Sequence, residues 1–317
     1  MNTAPAPARF IPAMAILLLA ILLFDAMAIC VRLLLPSYTA LELSVYRNVL
    51  GVLPSVALLL WTRDLPFTRA AWKIKRWKLA LMRGVIVALA QVMFYSSLGF
   101  LELATVSALS QINGVFVVLV SVIVLHETVG PWRWGAVLLG LAGALLIMRP
   151  GSDAFSPASL LPIGAALCYA VSMVTVRLFD SSISNSLLYL YSSAATAVAA
   201  LVMAAFTGGF SPIQSGADLG VILLMSLFGG TAVLLLMVSY RMAPPSALAP
   251  FGYFGILTAF LFGWLIFDEL PVGTLFPGVI LIVVAGLVIV WREGRTARSK
   301  VPPSVRPIPS AAPRVDQ

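Results

Sequence analysis

Charged and metal-binding side chains are scarce in this sequence of 317 residues. Only 10% of the residues are charged and 61% are hydrophobic, whereas soluble proteins have about 25% charged and about 45–50% apolar residues. The two cysteines and the single histidine exclude a disulfide-rich scaffold and a multi-histidine metal site. These shortages exclude an ordinary cytosolic enzyme. The apolar chain is long enough for roughly ten membrane-spanning helices of about 20 residues.

Ten continuous apolar stretches predict an all-α polytopic membrane protein with ten transmembrane helices. The first stretch is longer than the apolar part of a signal peptide and contains Asp25, so we interpret it as a retained helix. The expected spans are residues 12–34, 39–61, 79–100, 104–125, 132–149, 158–178, 185–207, 218–240, 244–267 and 272–291.

Lysine and arginine are concentrated in the loop after the second span and in the tail, residues 293–317. With ten spans, both regions lie on the same side, which is cytoplasmic because positive residues mark cytoplasmic segments. We therefore expect a bacterial-type inner-membrane protein with a cytoplasmic N-terminal segment (1–11) and a cytoplasmic tail. The Pro-, Ser- and Arg-rich tail is predicted to be disordered. The net charge of +8 then reflects membrane orientation, with no nucleic acid as partner.

The sequence repeats itself at an offset of about 143 residues. The matching segments are Gly135–Arg149 with Gly278–Arg292, Leu23–Leu33 with Cys168–Leu178, and Glu127 with Glu269. Each half, 12–150 and 158–292, contains five spans, and because five is odd the halves enter the membrane in opposite orientations. Inverted repeats of this kind underlie many secondary transporters.

Each half ends with a helix, a short turn that contains a glutamate, and a glycine-rich final helix. The stretches that carry this pattern are Ala104–Glu127 with Trp132–Pro150, and Ser246–Glu269 with Gly278–Arg292. The pattern resembles the EamA family of the drug/metabolite transporter superfamily. The resemblance implies a carrier for a small organic metabolite, with the two halves around a central cavity.

A narrower resemblance is to the branch of that family with S-adenosylmethionine and riboflavin uptake proteins. It is carried by Phe24-Asp25-Ala26, Arg47, Arg83-Gly84, Arg133-Trp134 and Arg149-Pro150. One difference is Asn113-Gly114, where many relatives have a proline; the second half keeps Pro250. The branch implies uptake of riboflavin or S-adenosylmethionine, and export of amino acids, metabolites or drugs remains the alternative.

Asp25 and Arg47 are the main candidates for contact with substrate or a coupling proton. Both lie about 12–15 Å deep by the helical rise of 1.5 Å per residue. A charge at such depth is costly and usually faces the interior of the bundle. The alternative is an ion pair between them that fixes the packing of the first two helices. Arg32 and Glu42 lie at a matching shallow depth and form a second possible ion pair.

Uncharged polar residues in the middle of spans are further candidates for substrate contact. They are Gln91 and Tyr95 in the third span, Gln111 and Asn113 in the fourth, and Pro250 and Tyr253 in the ninth. Amides provide hydrogen bonds without a net charge, and an aromatic ring can stack on a flat ligand. Interhelical hydrogen bonds and a simple proline kink are the alternatives. Glu127 and Glu269 are predicted to act as turn or gate residues, and Arg83 as an orientation anchor.

The sequence contains no Walker loop, no HExxH motif, no convincing dinucleotide motif and no Ser/His/Asp set. We therefore predict no enzyme activity, no catalytic residues, no cofactor and no metal. The expected partners are a small-molecule metabolite, the lipid bilayer and protons. A membrane-embedded enzyme and a non-transporting scaffold remain the alternative classes.

Overall fold

The computed structural model describes residues 7–54, 56, 76–126, 130–149, 156–175, 178, 185–206, 210–242, 248, 251–270 and 272–299. Within these residues all regular secondary structure is helical. The helices are α1 (Pro7–Leu34), α2 (Ala40–Leu50), α3 (Trp77–Phe100), α4 (Leu103–Ser110), α5 (Asn113–Leu125), α6 (Pro131–Met148), α7 (Leu160–Thr175), α8 (Asn185–Phe206), α9 (Gly216–Met242), α10 (Phe254–Phe267), α11 (Val272–Leu275) and α12 (Gly278–Ser299).

Ten helical segments are present in the described residues when α4 and α5 are counted together and the short α11 is set aside. Five segments are long and apolar enough to cross a membrane, and four shorter ones are also apolar. The all-α, multi-pass membrane character predicted from the sequence is therefore confirmed. Several predicted features lie outside the described residues. They are most of the basic loop, Glu127, Pro250 and residues 300–317 of the tail.

The fourth span differs from the prediction of one continuous helix over residues 104–125. Helix α4 ends at Ser110 and α5 begins at Asn113. In the turn between them, the Gln111 and Ile112 N–H groups donate to carbonyls three residues back, at 3.2 Å. Such bonds tighten the chain into a 3-10 turn. Hydropathy does not detect this interruption, because the helices on both sides are apolar.

Helix ends also differ from the predicted boundaries. Helix α1 begins at Pro7 instead of residue 12, and α12 continues to Ser299, beyond the predicted end of the second repeat at residue 292. Residues 293–299 contain Gly294 but no proline, and most of the others have moderate to good helix propensity, so the helix continues into this part of the predicted disordered tail.

Most helix–helix contacts in the bundle join one predicted half to the other. These contacts come in matching pairs: when two helices touch, their predicted counterparts in the other half also touch. Helix α1 packs against α9, while α7, the predicted counterpart of α1, packs against α3, the predicted counterpart of α9. In the same way α2 packs against α9, and α8 packs against α3. The final helices of the two halves, α6 and α12, pack against each other. Each half is therefore held in the bundle by the other half.

Helices α6 and α12 cross where the backbones of two glycines touch. A Cβ atom at Gly143 would lie 2.8 Å from the Gly278 carbonyl oxygen, and one at Gly278 would lie 2.5 Å from the Gly143 oxygen. A Cβ at Gly140 would lie 3.4 Å from the Cβ of Ala285. As residue numbers increase along α6, the numbers of the residues that they contact on α12 decrease, so the two helices are antiparallel. Small residues at such a crossing let membrane helices approach closely.

Replacement of Gly143 by alanine tests this crossing. We expect Gly143→Ala to lower the free energy of unfolding by about 1–3 kcal/mol, because the new methyl group overlaps a backbone carbonyl that has no room to move. The matched control is Gly135→Ala on the same helix, where an added Cβ meets nothing within 4 Å. Thermal unfolding of the detergent-purified variants measures the difference. Equal midpoints for both variants would contradict the close crossing.

Candidate functional site

Four buried polar side chains connect α2 to α3, and we call them the central polar cluster: Ser44, Arg47 and Asn48 of α2, and Gln91 of α3. The Ser44 hydroxyl and Asn48 Nδ2 both donate to Gln91 Oε1 at 2.6 Å. Asn48 Nδ2 also donates to the Ser44 carbonyl oxygen at 2.7 Å, and Arg47 Nη1 donates to Asn48 Oδ1 at 3.1 Å. The cluster is one hydrogen-bonded unit that the surrounding helices shield from solvent.

The local sequence of α2 explains why these side chains face α3 together. A capping box begins the helix: the Thr39 N–H donates to Glu42 Oε2 at 2.6 Å, and the Glu42 N–H donates to Thr39 Oγ1 at 3.3 Å. Ser44 and Asn48 are then four residues apart and lie on one helix face. The cap thus fixes where the helix starts and which residues it presents to α3.

Arg47 also connects the central polar cluster to the second half of the bundle. Its Nη2 donates to the Gly229 carbonyl oxygen of α9 at 3.3 Å. A Cβ atom at Gly229 would lie 3.1 Å from Arg47 Nε and 2.6 Å from Met27 Sδ. The absence of a side chain at Gly229 therefore provides the space that the guanidinium occupies.

Asp25 is buried in the seam between α1 and α10, and Thr258 of α10 donates its hydroxyl hydrogen to Asp25 Oδ2. The Thr258 hydroxyl also lies 3.2 Å from the Phe254 carbonyl oxygen and 3.3 Å from the Gly255 carbonyl oxygen. Asp25 and Arg47 thus have different hydrogen-bond partners. The structure brings Asp25 to α10, while Arg47 lies with α2, α3 and α9.

The interruption between α4 and α5 lies against the beginning of α10. Gln111 Nε2 donates to the Gly252 carbonyl oxygen at 2.8 Å, and the Ser107 hydroxyl donates to the Gly255 carbonyl oxygen at 3.1 Å. Tyr253, in the turn before α10, lies between these two acceptors in sequence. Two irregular backbone segments therefore meet inside the bundle. Irregular backbone at membrane depth is typical of binding sites in transporters.

The remaining sequence candidates lie in different places. Asn113 Nδ2 donates to the Ala166 carbonyl oxygen of α7 at 2.8 Å, as an interhelical hydrogen bond. Tyr95 is buried, and its hydroxyl lies 4.0 Å from Met27 Sδ beside the central polar cluster. The Tyr253 hydroxyl fills the space next to Gly286, where a Cβ atom would overlap it. Tyr253 therefore packs against α12.

The ion pair predicted between Arg32 and Glu42 is not the one that the structure contains. Arg32 Nη2 pairs with Glu269 Oε1, and the Arg32 guanidinium lies 4.3 Å from the ring centroid of Phe267. Both Glu42 oxygens accept other hydrogen bonds, one from Thr39 and one from the Ser211 N–H. The Glu42 carboxylate thus accepts hydrogen bonds from the helix cap and from a loop. Arg32 pairs instead with Glu269, in the turn after α10.

Arg83, which the sequence predicts to be an orientation anchor, makes hydrogen bonds inside the bundle. It is buried, and its Nε donates to the Ser172 carbonyl oxygen of α7 at 3.0 Å.

Ser44, Asn48 and Thr258 are functional candidates that the sequence did not single out. The spacing of Ser44 and Asn48 beside Arg47 on one helix face is the signal that was available for two of them.

No group of three or more His, Cys, Asp or Glu side chains that could hold a metal ion occurs within the described part of the chain. The site is instead built from neutral amides, hydroxyls and backbone carbonyls, together with one guanidinium and, in the adjacent seam, one carboxylate. Such a set can recognise a polar organic molecule through hydrogen bonds.

Comparisons with known proteins agree with this architecture. The model of the EamA-like transporter family matches residues 11–149. A protein of Rhizobium johnstonii named "Riboflavin transporter" is 30% identical over 262 residues, which cover 77% of this chain and 84% of that protein. The chain belongs to the EamA-like transporter family.

Other relatives of this EamA-family transporter have similar coverage. A "Riboflavin transporter" of Brucella anthropi is 28% identical over 72% of this chain and 82% of its own. An "S-adenosylmethionine uptake transporter" of Rickettsia bellii is 22% identical over 70% of this chain and 75% of its own. A solved crystal structure with 18% identity has a TM-score of 0.61 and covers 90% of this chain and 98% of its own, which shows a shared fold.

We expect the central polar cluster to stabilise the folded transporter. We expect Gln91→Met to lower the free energy of unfolding by about 1–3 kcal/mol, because the buried Ser44 and Asn48 groups lose their shared acceptor. Ser96→Ala on the same helix is the control. Thermal unfolding in detergent gives the comparison, and an unchanged midpoint for Gln91→Met would show that the cluster does not support the fold.

Proposed function

We propose that this EamA-family transporter takes up a small organic metabolite with a flat ring system and a polar edge, with riboflavin as the leading candidate. The observation that carries this proposal is the 30% identity to the relative named riboflavin transporter, across 84% of that protein. The central polar cluster and the adjacent seam between α1 and α10 supply the chemistry for it.

The chemistry of the central polar cluster suits a neutral ligand of this kind. Asn48 and Gln91 each carry a donor and an acceptor, and Ser44 carries both on one hydroxyl. A flavin ring edge likewise presents alternating donors and acceptors, so it can exchange partners with these side chains without placing an unbalanced charge in the membrane. Tyr95 lies beside the cluster and provides an aromatic ring for stacking.

Transport is proposed to proceed by alternating access between two inverted five-helix halves, 12–150 and 158–292. The exchanged helix pairs support this symmetry, because α1 with α9 and α7 with α3 are the same contact under exchange of the halves. The antiparallel crossing of α6 and α12 supports it as well. Helices α5 and α10 also end alike, since His126 and Asp268 both have positive φ, 53° and 56°, immediately before the repeated glutamates.

We propose an inner-membrane location with both termini in the cytoplasm. The basic loop and tail support this orientation by the positive-inside rule. Arg32 and Glu269 then belong to the external end of the bundle. The ion pair between them is consistent with ten spans, because it places the end of the first span and the end of the ninth on one side.

Asp25 is the proposed proton-coupling group. It is the acidic side chain that lies deep within a span in the described bundle, and its carboxylate is held by Thr258 between α1 and α10. Ionisable residues at such depth generally mark proton or ion pathways. A change of charge on Asp25 would alter the bond that joins the two helices, which links coupling to movement of the seam.

S-adenosylmethionine is the second candidate substrate, and the buried carboxylate of Asp25 is the observation that favours it. This metabolite carries a positively charged sulfonium group, which needs a negative partner when it leaves water. In that case Asp25 would contact the substrate directly. The Rickettsia bellii relative is named for uptake of this metabolite.

Uptake into proteoliposomes distinguishes the two substrates. We expect riboflavin to accumulate in vesicles that contain the purified transporter, and unlabelled riboflavin to compete with labelled riboflavin. S-adenosylmethionine should compete poorly. Vesicles without protein are the control. Accumulation of S-adenosylmethionine without accumulation of riboflavin would reverse the order of the candidates, and accumulation of neither would contradict the proposed substrate class.

Replacement of Asp25 by asparagine tests coupling separately from binding. Because asparagine resembles the protonated acid, Asp25→Asn should keep substrate exchange across the membrane but lose accumulation driven by a proton gradient, at least about tenfold. Asp218→Asn, an acid at the start of α9, is the control. Loss of exchange together with accumulation would mean that Asp25 contacts substrate, and unchanged accumulation with an unchanged pH profile would remove it from the mechanism.

A further inference from the structure

A compact group of contacts closes the bundle at the end where α1 and α10 finish. Arg32 pairs with Glu269, and the Arg32 guanidinium lies over the ring of Phe267. Glu269 Oε2 also accepts a hydrogen bond of 3.0 Å from the Leu103 N–H, at the first residue of α4. One carboxylate therefore connects three spans: α1 through Arg32, α4 through Leu103, and α10 through its own turn. We call these contacts the α1–α10 latch.

The position of the latch relates it to the candidate site. Ser107 is one helical turn beyond Leu103 on α4, and its hydroxyl bonds the Gly255 carbonyl oxygen. On α10, Thr258 lies one helical turn beyond Phe254, and the Thr258 hydroxyl donates to Asp25. The latch thus lies at the end of the same seam that contains Asp25 and borders the interrupted helices. Opening this seam would lead from the bundle end to the polar interior.

The contacts of the latch also suit repeated opening. The side chains of Arg32 and Glu269 are 22% and 12% exposed, so neither charge is fully enclosed by the bundle. A partly buried ion pair gains Coulomb energy but loses part of the hydration of both charges, so its net stabilisation is small. Among the described residues, the buried Nη1 of Arg32 has no hydrogen-bond partner. The closed arrangement therefore leaves one guanidinium donor unsatisfied, which limits how strongly it favours closure.

We propose that the α1–α10 latch is the gate at this end of the transporter: it is formed when the end is closed and broken when the end opens to substrate. This proposal rests on the alternating-access function proposed above. The internal repeat places Arg177 and Glu127 at positions that correspond to Arg32 and Glu269. Those two residues lie outside the described structure, so the inference is carried by Arg32 and Glu269 alone.

Labelling of an introduced cysteine tests the gate directly. Cys30→Ala and Cys168→Ala remove the native thiols, and Ser107→Cys places one thiol a turn inside the latch. A membrane-impermeant maleimide is then added to right-side-out or inverted vesicles. Glu269→Gln keeps an acceptor for the Leu103 N–H but removes the charge. We expect it, and Arg32→Gln, to raise the labelling rate several-fold from the Arg32 side, with no rise from the other side.

Two further variants separate a gate from a general loss of structure. The exchanged pair Arg32→Glu with Glu269→Arg should lower the labelling rate below that of either single variant, but not fully to that of the parent, because an arginine at position 269 cannot accept the Leu103 N–H bond. Asp218→Asn removes a charge at the same end, where it accepts a bond of 2.9 Å from Tyr38, and should leave the rate unchanged. Unchanged labelling in both single variants would overturn the proposal. Equal increases from both sides would also overturn it, because they would indicate local unfolding.

The labelling result does not depend on the identity of the substrate, since none is added. If the parent protein transports neither candidate metabolite, the proposed substrate class fails while the labelling experiment still tests the latch. If transport proceeds but the latch variants label like the parent, the latch fails while the substrate assignment stands.

Discussion

A polar group inside a membrane protein must find its partner within the protein, because the surrounding hydrocarbon offers none. In this bundle the partner is usually on another helix. Gln91 accepts from two residues of α2, Asp25 accepts from Thr258 of α10, and Arg47 donates to a carbonyl of α9. The scarce polar residues therefore link particular helices to each other. They also supply the chemistry available to a substrate.

This double role explains how a chain with so few charges can move a polar molecule. In the proposed mechanism, a substrate that enters the bundle replaces one set of hydrogen bonds with another, and the side chains that hold the empty structure together serve as its binding groups. The interruption between α4 and α5 adds a backbone that Gln111 keeps in contact with the segment before α10. Close glycine contacts, such as Gly143 with Gly278, let α6 and α12 pack tightly against each other elsewhere in the bundle.

The sequence alone predicted the helical membrane fold, since continuous apolar runs near 20 residues have few other structures. It also identified Asp25, Arg47 and Gln91 as buried polar residues, because such residues stand out in an apolar segment. It did not predict their partners. Arg32 and Glu42 lie at similar depths in the membrane, which led to the prediction that they pair. Similar depth does not determine which helices touch. Arg32 instead pairs with Glu269, far away in sequence, and Thr258 was missed because threonine is common in membrane helices.

In the proposed mechanism, the two ends of this transporter open in turn around a buried polar site. Spin labels at Ser37 and Leu270, which are exposed beside the end where Arg32 lies, measure the width of that end by pulsed electron resonance. We predict two distances in lipid, with populations that shift when saturating riboflavin is added. A single distance that stays the same with and without riboflavin, in protein that transports it, would contradict opening and closing of this end.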